Sequence, residues 1–452
     1  MYCLTESTNF YSKLVRLAQN NNSIPSDLYG KYNVKRGLRN ENGTGVVVGL
    51  TNISYVLGYE MRDQVKVPIE GKLLYRGINL DDFVSGYQAQ KRRGFEECIY
   101  LLLFGVLPTK VELEQFNDLL DNERDLPKSF TENMILKIPS KNIMNKLQRS
   151  VLVLYSHDEN PDDTGISNVL DQCIKLIARF PTIISYGYQA KAHYFDKKSL
   201  FIHPPQRGIG TAENILFMTR PDNKYSRIEA ETLDLCLVIH ADHGGGNNSA
   251  FATHVISSSG TDAYSAISAA VGCLKGPKHG GANLKVREMI DNIKTNVSDP
   301  NDVSQLKDYL WKIIKKEAFN REGLIYGMGH AVYTKSDPRS VLLKKKAFEL
   351  SIEKNRVEEF NLYKNIEELS LEIFRELKGE HFTICSNVDL YSGFVYDMLN
   401  IPSDLYTPLF ATARIAGWCA HLIEQLASDN KIIRPAYINT SPKTTYTAIE
   451  AR

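Results

Sequence analysis

A chain of 452 residues, 43% hydrophobic and 24% charged, can bury a large core, and its length alone suggests about two to three domains. Its net charge of +1 and the lack of a basic stripe interleaved with aromatics exclude nucleic acid as the main partner. Arginines set singly beside glycines and apolar residues suit small anions instead. The seven cysteines, from Cys3 to Cys419, are scattered and form no CxxC, which reads as reduced thiols, with neither a disulfide frame nor a zinc site. Glu6 and the lack of an early apolar run leave no visible signal peptide. The longest apolar stretch, Cys98 to Leu107, contains Gly105 and is too short to span a bilayer. The expected compartment is therefore the cytoplasm.

In chain order, residues 1–40 are polar, with an amphipathic patch near Phe10 to Leu17. Gly43-Thr44-Gly45 is a turn that leads into Val46-Val47-Val48, an expected short strand. The stretch GTGVVVG has the wrong glycine spacing and no preceding strand for a dinucleotide loop. Residues 64–78 alternate like short strands and end in Tyr75-Arg76-Gly77. From about residue 80 the periodicity is helical. Ala263 to Leu274, rich in Ala, Ser and Gly, predicts a closely packed helix in a buried or subunit-facing position. Leu306, Leu310, Ile313, Ile314 and Phe319 predict a helix capped at Asp302 and Gln305 and stopped by Gly323. Another begins after Thr407, with Pro408 at its first position. The Thr-rich tail from Pro435 is expected to be disordered or to lie on a neighbouring surface.

The chemistry-bearing residues sit in four glycine-flanked segments, HADHGGGNN (240–248), GPKHGGAN (276–283), GMGH (327–330) and NVDLYSG (387–393). Histidine passes protons near neutral pH, and adjacent glycines let a ligand reach the backbone. In the first segment, His240 follows an apolar run and reads as a core histidine, whereas His243 precedes three glycines and reads as a substrate ligand. A bare HxxH is more often incidental than a metal pair. In the second, a helix starting near Ala282 would disfavour a charged His279. A neutral imidazole could then donate to a developing enolate, as in the isomerase that the same chemistry is best known from. His330 and Arg339 share one loop-and-turn segment, GMGHAVYTKSDPRS. Arg414 lies inside an apolar helix, where a guanidinium needs either a structural or a ligand carboxylate. An apolar setting for Asp389 would raise its pKa toward that of a useful base. Gly327 and Gly329 could admit an adenine or pantetheine, and Lys335 could meet a phosphate.

Together with PLFATARIAGW and IRP, these segments, in this order and spacing, resemble the citrate synthase family, which also contains 2-methylcitrate synthases. The resemblance runs from about Asn42 to Pro435. It implies a mainly α fold with a few short β-strands near the N-terminus. A large domain (1–280 and 396–452) and a smaller one (281–395) would enclose the active site in the cleft between them. It implies that Asp389 removes a methyl proton from acetyl-CoA, His279 stabilises the enol or enolate, and His330 donates toward the ketone oxygen of oxaloacetate. His243, Arg339 and Arg414 would hold oxaloacetate, and Arg434 would reach in from the second subunit of a homodimer. Gly327, Gly329 and Lys335 would meet CoA. Where many relatives carry an arginine as a CoA phosphate contact, this chain has Thr334, followed by Lys335.

The implied activity is that of an acyltransferase of the tricarboxylic acid cycle, making citrate and CoA through citryl-CoA. Acetyl-CoA is a co-substrate, with no resident cofactor and no metal. Propionyl-CoA, giving 2-methylcitrate, is the first alternative, since one methylene is worth only about 1–3 kcal/mol in a pocket. A metal-dependent hydrolase built on His240, Asp242 and His243 is a remote one.

Overall fold

The computed structural model describes residues 2–63, 65–428 and 431–452. The chain divides after Leu50 into two units. The first holds a helix, Tyr2–Asn21, and a short one, Asp27–Lys31. The strand expected at Val46-Val47-Val48 does not form. Only an isolated bridge between Arg39 and Gly45 is present, and Val47 is 87% exposed. β-branched residues make a strand only when a partner and a buried face are available.

The second unit opens with an antiparallel hairpin, β1 (Ser54–Arg62) and β2 (Val65–Tyr75), extended by β3 (Ile78–Asn79). Ser54 pairs with Tyr75 at one end and Arg62 with Val65 at the other, with an irregularity between Leu57 and Tyr59. The alternation read from residues 64–78 is thus β2, with Leu73 and Tyr75 pointing into the core.

The rest is helical. The apolar stretch from Cys98 forms the buried part of α1 (Phe95–Phe104), which ends on Gly105 in the left-handed conformation, as a helix C-terminus favours. The chain continues through α2 (Ile143–Leu154), α3 (Ile166–Tyr194), α4 (Arg227–His240), α5 (Asn248–Ser257), α6 (Ala263–Lys275), α7 (Ala282–Asn296), α8 (Val303–Ile314), α9 (Pro338–Glu353), α10 (Asp389–Met398) and α11 (Tyr406–Ala427). The Ala/Ser/Gly-rich α6 packs closely against α5 and α2. α11 is buried almost all round over its first four turns, as expected of a central helix apolar on every side. Arg414 and His421 are seven residues apart and so share one stripe of it.

Two predicted boundaries move. α8 begins at Val303, with the Asp302 carboxylate capping Ser304 and Gln305 as expected, but stops at Ile314, well before Gly323. Phe319 instead takes a positive φ in the following loop. α11 starts at Tyr406, which puts Pro408 third. Both lie within the first turn, where proline's missing N–H costs no helical bond. The tail after Pro435 is exposed and irregular apart from a turn at Ile449–Ala451.

Candidate active site

Three short hydrogen-bonded links bring the separate motifs together. The 327–330 loop pairs with the strand-like 385–387 segment: Gly329 N donates to Cys385 O at 2.8 Å, and Asn387 N to Gly327 O at 2.9 Å. Asn387 Nδ2 also donates to Gly329 O. This ladder sets His330 beside the start of α10, whose first residue is Asp389. Gly327 has φ +86° and would place a Cβ 2.9 Å from Leu390, so the approach needs glycine. On the other side the β1–β2 hairpin grips the 332–336 loop. Thr334 Oγ1 donates to Gly58 O at 3.3 Å, and Ser336 Oγ accepts from Gly71 N at 3.0 Å. On α11, Gly417 N–H reaches Ala241 O at 3.1 Å, holding the 240–247 loop against the helix that carries Arg414.

His243, His330 and Tyr333 then form a ring cluster. His330 stacks on Tyr333 with centroids 4.6 Å apart, and His243 stands edge-on to His330 at 5.2 Å. His330 Nδ1 accepts from Val332 N and Tyr333 N, at 3.0 and 3.1 Å. The ring proton therefore sits on Nε2, which lies 3.5 Å from Arg339 Nη2. His243 Nε2 is buried without a hydrogen-bond partner. Its ring is held well below the usual histidine range by burial and then by Arg339 and His330, so it is neutral.

The two arginines differ. Arg339 is the second residue of α9 and is clamped by Asp337, which caps the helix and accepts from Nε at 3.0 Å and Nη2 at 2.7 Å. Arg414 is 1% exposed. Its Nε donates to His240 O at 2.5 Å, and Phe410 packs on its guanidinium. Nη1 and Nη2 have no partner at all. Burial brings its pKa down to about 10, only partly opposed by Asp242. Among the described residues no carboxylate pairs with the terminal nitrogens.

Asp389 is half-buried, and burial raises its carboxyl to about 6, with Arg339 and Arg414 pulling only partly the other way. His279 lies on the short turn Pro277–Gly280, and α7 begins at Ala282, where the sequence placed it. Burial and then Arg414 lower His279 to about 4, so this ring too is neutral. Its Nε2 is 3.1 Å from Ser249 Oγ, which donates to Ala270 O at 2.9 Å. The single hydroxyl proton selects the tautomer: while Ser249 donates to Ala270 O it accepts from Nε2–H, and turning the hydroxyl to Nε2 places the imidazole proton on Nδ1.

His240 is a core histidine, 1% exposed, with Nδ1 2.7 Å from Cys236 O. Asp242 turns away from it toward His421, so the three residues of the hydrolase alternative do not converge. Lys335 and Arg434 are exposed. Arg434 follows Ile433, whose N–H donates to Ser258 Oγ, and is not part of the ring cluster. Ser249, Tyr333 and Asp337 were not singled out as site residues from the sequence, and Asp242 was considered only as a metal ligand. Only Asp337 carried a signal, as a capping residue before Pro338. The six cysteines whose side chains are described form no disulfide, and among the described residues no helix is long and apolar enough to cross a membrane.

The model for the citrate synthase C-terminal domain matches residues 40–436. Citrate synthase of Haloferax volcanii is 32% identical over 414 residues, covering 91% of this chain and 96% of its own. A 2-methylcitrate synthase of Corynebacterium glutamicum is 30% identical, covering 89% and 94%. Among solved structures, the ternary complex of citrate synthase from Thermoplasma acidophilum with carboxymethyl coenzyme A and oxaloacetate superposes with a TM-score of 0.74 at 25% identity, covering 93% and 99%. The chain belongs to the citrate synthase family, enzymes that transfer an acyl group.

Proposed function

We propose that this chain condenses acetyl-CoA with oxaloacetate and water to give citrate and CoA. The observation that carries the reading is Arg414, a buried guanidinium with two unpartnered nitrogens, next in the electrostatics of the site to a base raised to about 6. An anion must complete it, because an unpaired buried charge costs several kcal/mol. A dicarboxylate that also meets Arg339 and the open Nε2 of His243 does so with paired, charge-assisted bonds.

Asp389 takes the α-proton of the thioester. Its raised pKa brings it toward that of a useful base while leaving it ionised at neutral pH. His279, neutral and oriented by Ser249, donates to the thioester oxygen as negative charge develops there. The enol carbon attacks the ketone of oxaloacetate, and His330 donates from Nε2 to the ketone oxygen. Hydrolysis of the citryl thioester releases CoA. Residues 281–395 act as the smaller domain that closes on the larger one and excludes water. Gly327, Gly329 and Lys335 contact CoA, and Thr334 stands where a phosphate-binding arginine is common in relatives. Arg434 completes the site of a partner subunit in a homodimer. The protein works in the cytoplasm, within the tricarboxylic acid cycle, without a resident cofactor.

A second reading, 2-methylcitrate synthesis from propionyl-CoA, rests on the match to relatives that bear that name. CoA thiol release from acetyl-CoA and propionyl-CoA, with and without oxaloacetate, tests both. Oxaloacetate-dependent release that disappears in Asp389→Asn supports condensation, and the ratio of the two rates chooses the acyl group. No release with either thioester from folded protein would overturn the assignment.

A further inference from the structure

Behind the site, on the same stripe of α11 as Arg414, lies a second cluster that the condensation does not use. Among the described residues, His254, His421 and Glu424 bring one ligand atom each within 4.8 Å of one another. His254 Nε2 is 3.3 Å from His421 Nδ1, and that Nδ1 is 3.7 Å from Glu424 Oε2. Ligands about 2.0–2.1 Å from a tetrahedral zinc ion stand about 3.3–3.4 Å apart.

We propose that His254, His421 and Glu424 bind one divalent ion of the zinc class, as a structural clamp distinct from the catalytic residues. The atoms turned away from the cluster are held as outer-shell partners hold metal ligands. His421 Nε2 faces Asp242 Oδ1 at 3.2 Å. His254 Nδ1 meets Gln425 Oε1 at 3.0 Å. Glu424 Oε1 accepts from Asn52 N at 2.6 Å. With an ion bound, two neutral imidazoles and the Glu424 and Asp242 carboxylates balance a 2+ charge. Without one, burial is outweighed by Asp242 and then Glu424, which raise His421 to about 9, and this single imidazolium offsets only one of the two carboxylates. The single proton on His421 Nδ1 serves His254, and Glu424 Oε2 is left buried with no hydrogen bond. A Cβ on Gly245 would stand 3.6 Å from both His254 Nε2 and His421 Cε1, so the absent side chain leaves the fourth position open. Nitrogen and carboxylate donors in a tetrahedral set favour zinc over magnesium or calcium. Uptake displaces the proton from Nδ1. The ion would tie α5, α11 and the chain before β1 to the loop that carries His243.

The test is metal uptake, which does not depend on turnover. Full-length protein is stripped with a chelator, dialysed against Zn2+, desalted and assayed for bound zinc. Wild type should retain one ion per chain more than His254→Gln or Glu424→Gln, and its melting temperature should rise with Zn2+ where theirs does not. Co2+ in place of Zn2+ should give wild type the intense visible absorption of a tetrahedral site, a readout that survives if a variant fails to fold. Equal zinc in wild type and variants, or a weak octahedral Co2+ spectrum, would overturn the proposal and leave the cluster a hydrogen-bonded chain. Failure here would leave the condensation reading untouched, since CoA release is measured separately.

Discussion

Two buried guanidinium regions in one molecule have opposite accounts. At Arg220 both terminal nitrogens are paired with a carboxylate. Glu229 accepts from Arg220 Nη1 and Nη2, both at 2.9 Å, from Lys354 Nζ at 2.7 Å and from Ser226 N at 2.7 Å. Arg220 Nη2 also donates to Leu399 O at 2.6 Å. These bonds outweigh burial and hold Glu229 down at about 2. At Arg414 a single bond is made and two nitrogens are left open. Saturated buried charge holds helices together, whereas open buried charge waits for a ligand and weakens the empty protein.

The comparison can be broken at several points. The largest effect is expected at Asp389→Asn, which should lower oxaloacetate-dependent CoA release by roughly 10²–10⁴-fold, the usual contribution of a general base. A variant within tenfold of wild type would remove Asp389 from that role. Next, Arg414→Met should raise the KM for oxaloacetate roughly 10- to 150-fold, the loss of one or two charge-assisted bonds. The melting temperature of the ligand-free protein should stay level or rise. A clear drop in melting temperature would show that Arg414 is paired structurally after all.

Arg220→Met should do the reverse. Stability should fall by about 2–3 kcal/mol in urea unfolding, with Lys354 still facing the buried carboxylate, while KM stays unchanged. The pH dependence sharpens this. Glu229 is lowered from 4.5 to about 2, so its contribution is complete above pH 4.5 and is lost as pH falls toward 2. The gap between wild type and the Arg220 variant should close over that window. For Asp389, raised from 3.8 to about 6, activity needs the ionised form. Turnover should be half-maximal near pH 6 and fall about tenfold per unit below it. The smallest effect is expected at Gly58→Ala. The added Cβ would stand 2.4 Å from Val332 O, displacing the loop that carries His330 and Arg339. The expected result is a several-fold rise in the KM for oxaloacetate together with a lowered melting temperature, because the clash is with backbone atoms that must shift.

Much of the site was legible because its residues advertise themselves locally. His243, His279, His330 and Asp389 sit among glycines in segments whose order is distinctive, and the helix considered near Ala282 does start there. Ser249 and Tyr333 had no such signal. Ser249 is thirty positions before His279, and only the packing of α5 on α6 makes them neighbours. The Val46–Val48 strand and the long α8 failed for a related reason: apolar runs state what can be buried, not whether a partner is present to bury it.

By itself, then, the sequence determined the helical class and the family, and it marked the residues proposed to handle protons and bind the anion, because these depend on residue type, order and periodicity. Tertiary structure alone decided which charges are satisfied. Arg339 finds Asp337, Arg220 finds Glu229, and Arg414 finds only the carbonyl of His240. It also decided the protonation of Asp389 and His279, because desolvation and charge act through space and no spacing along the chain encodes the distance.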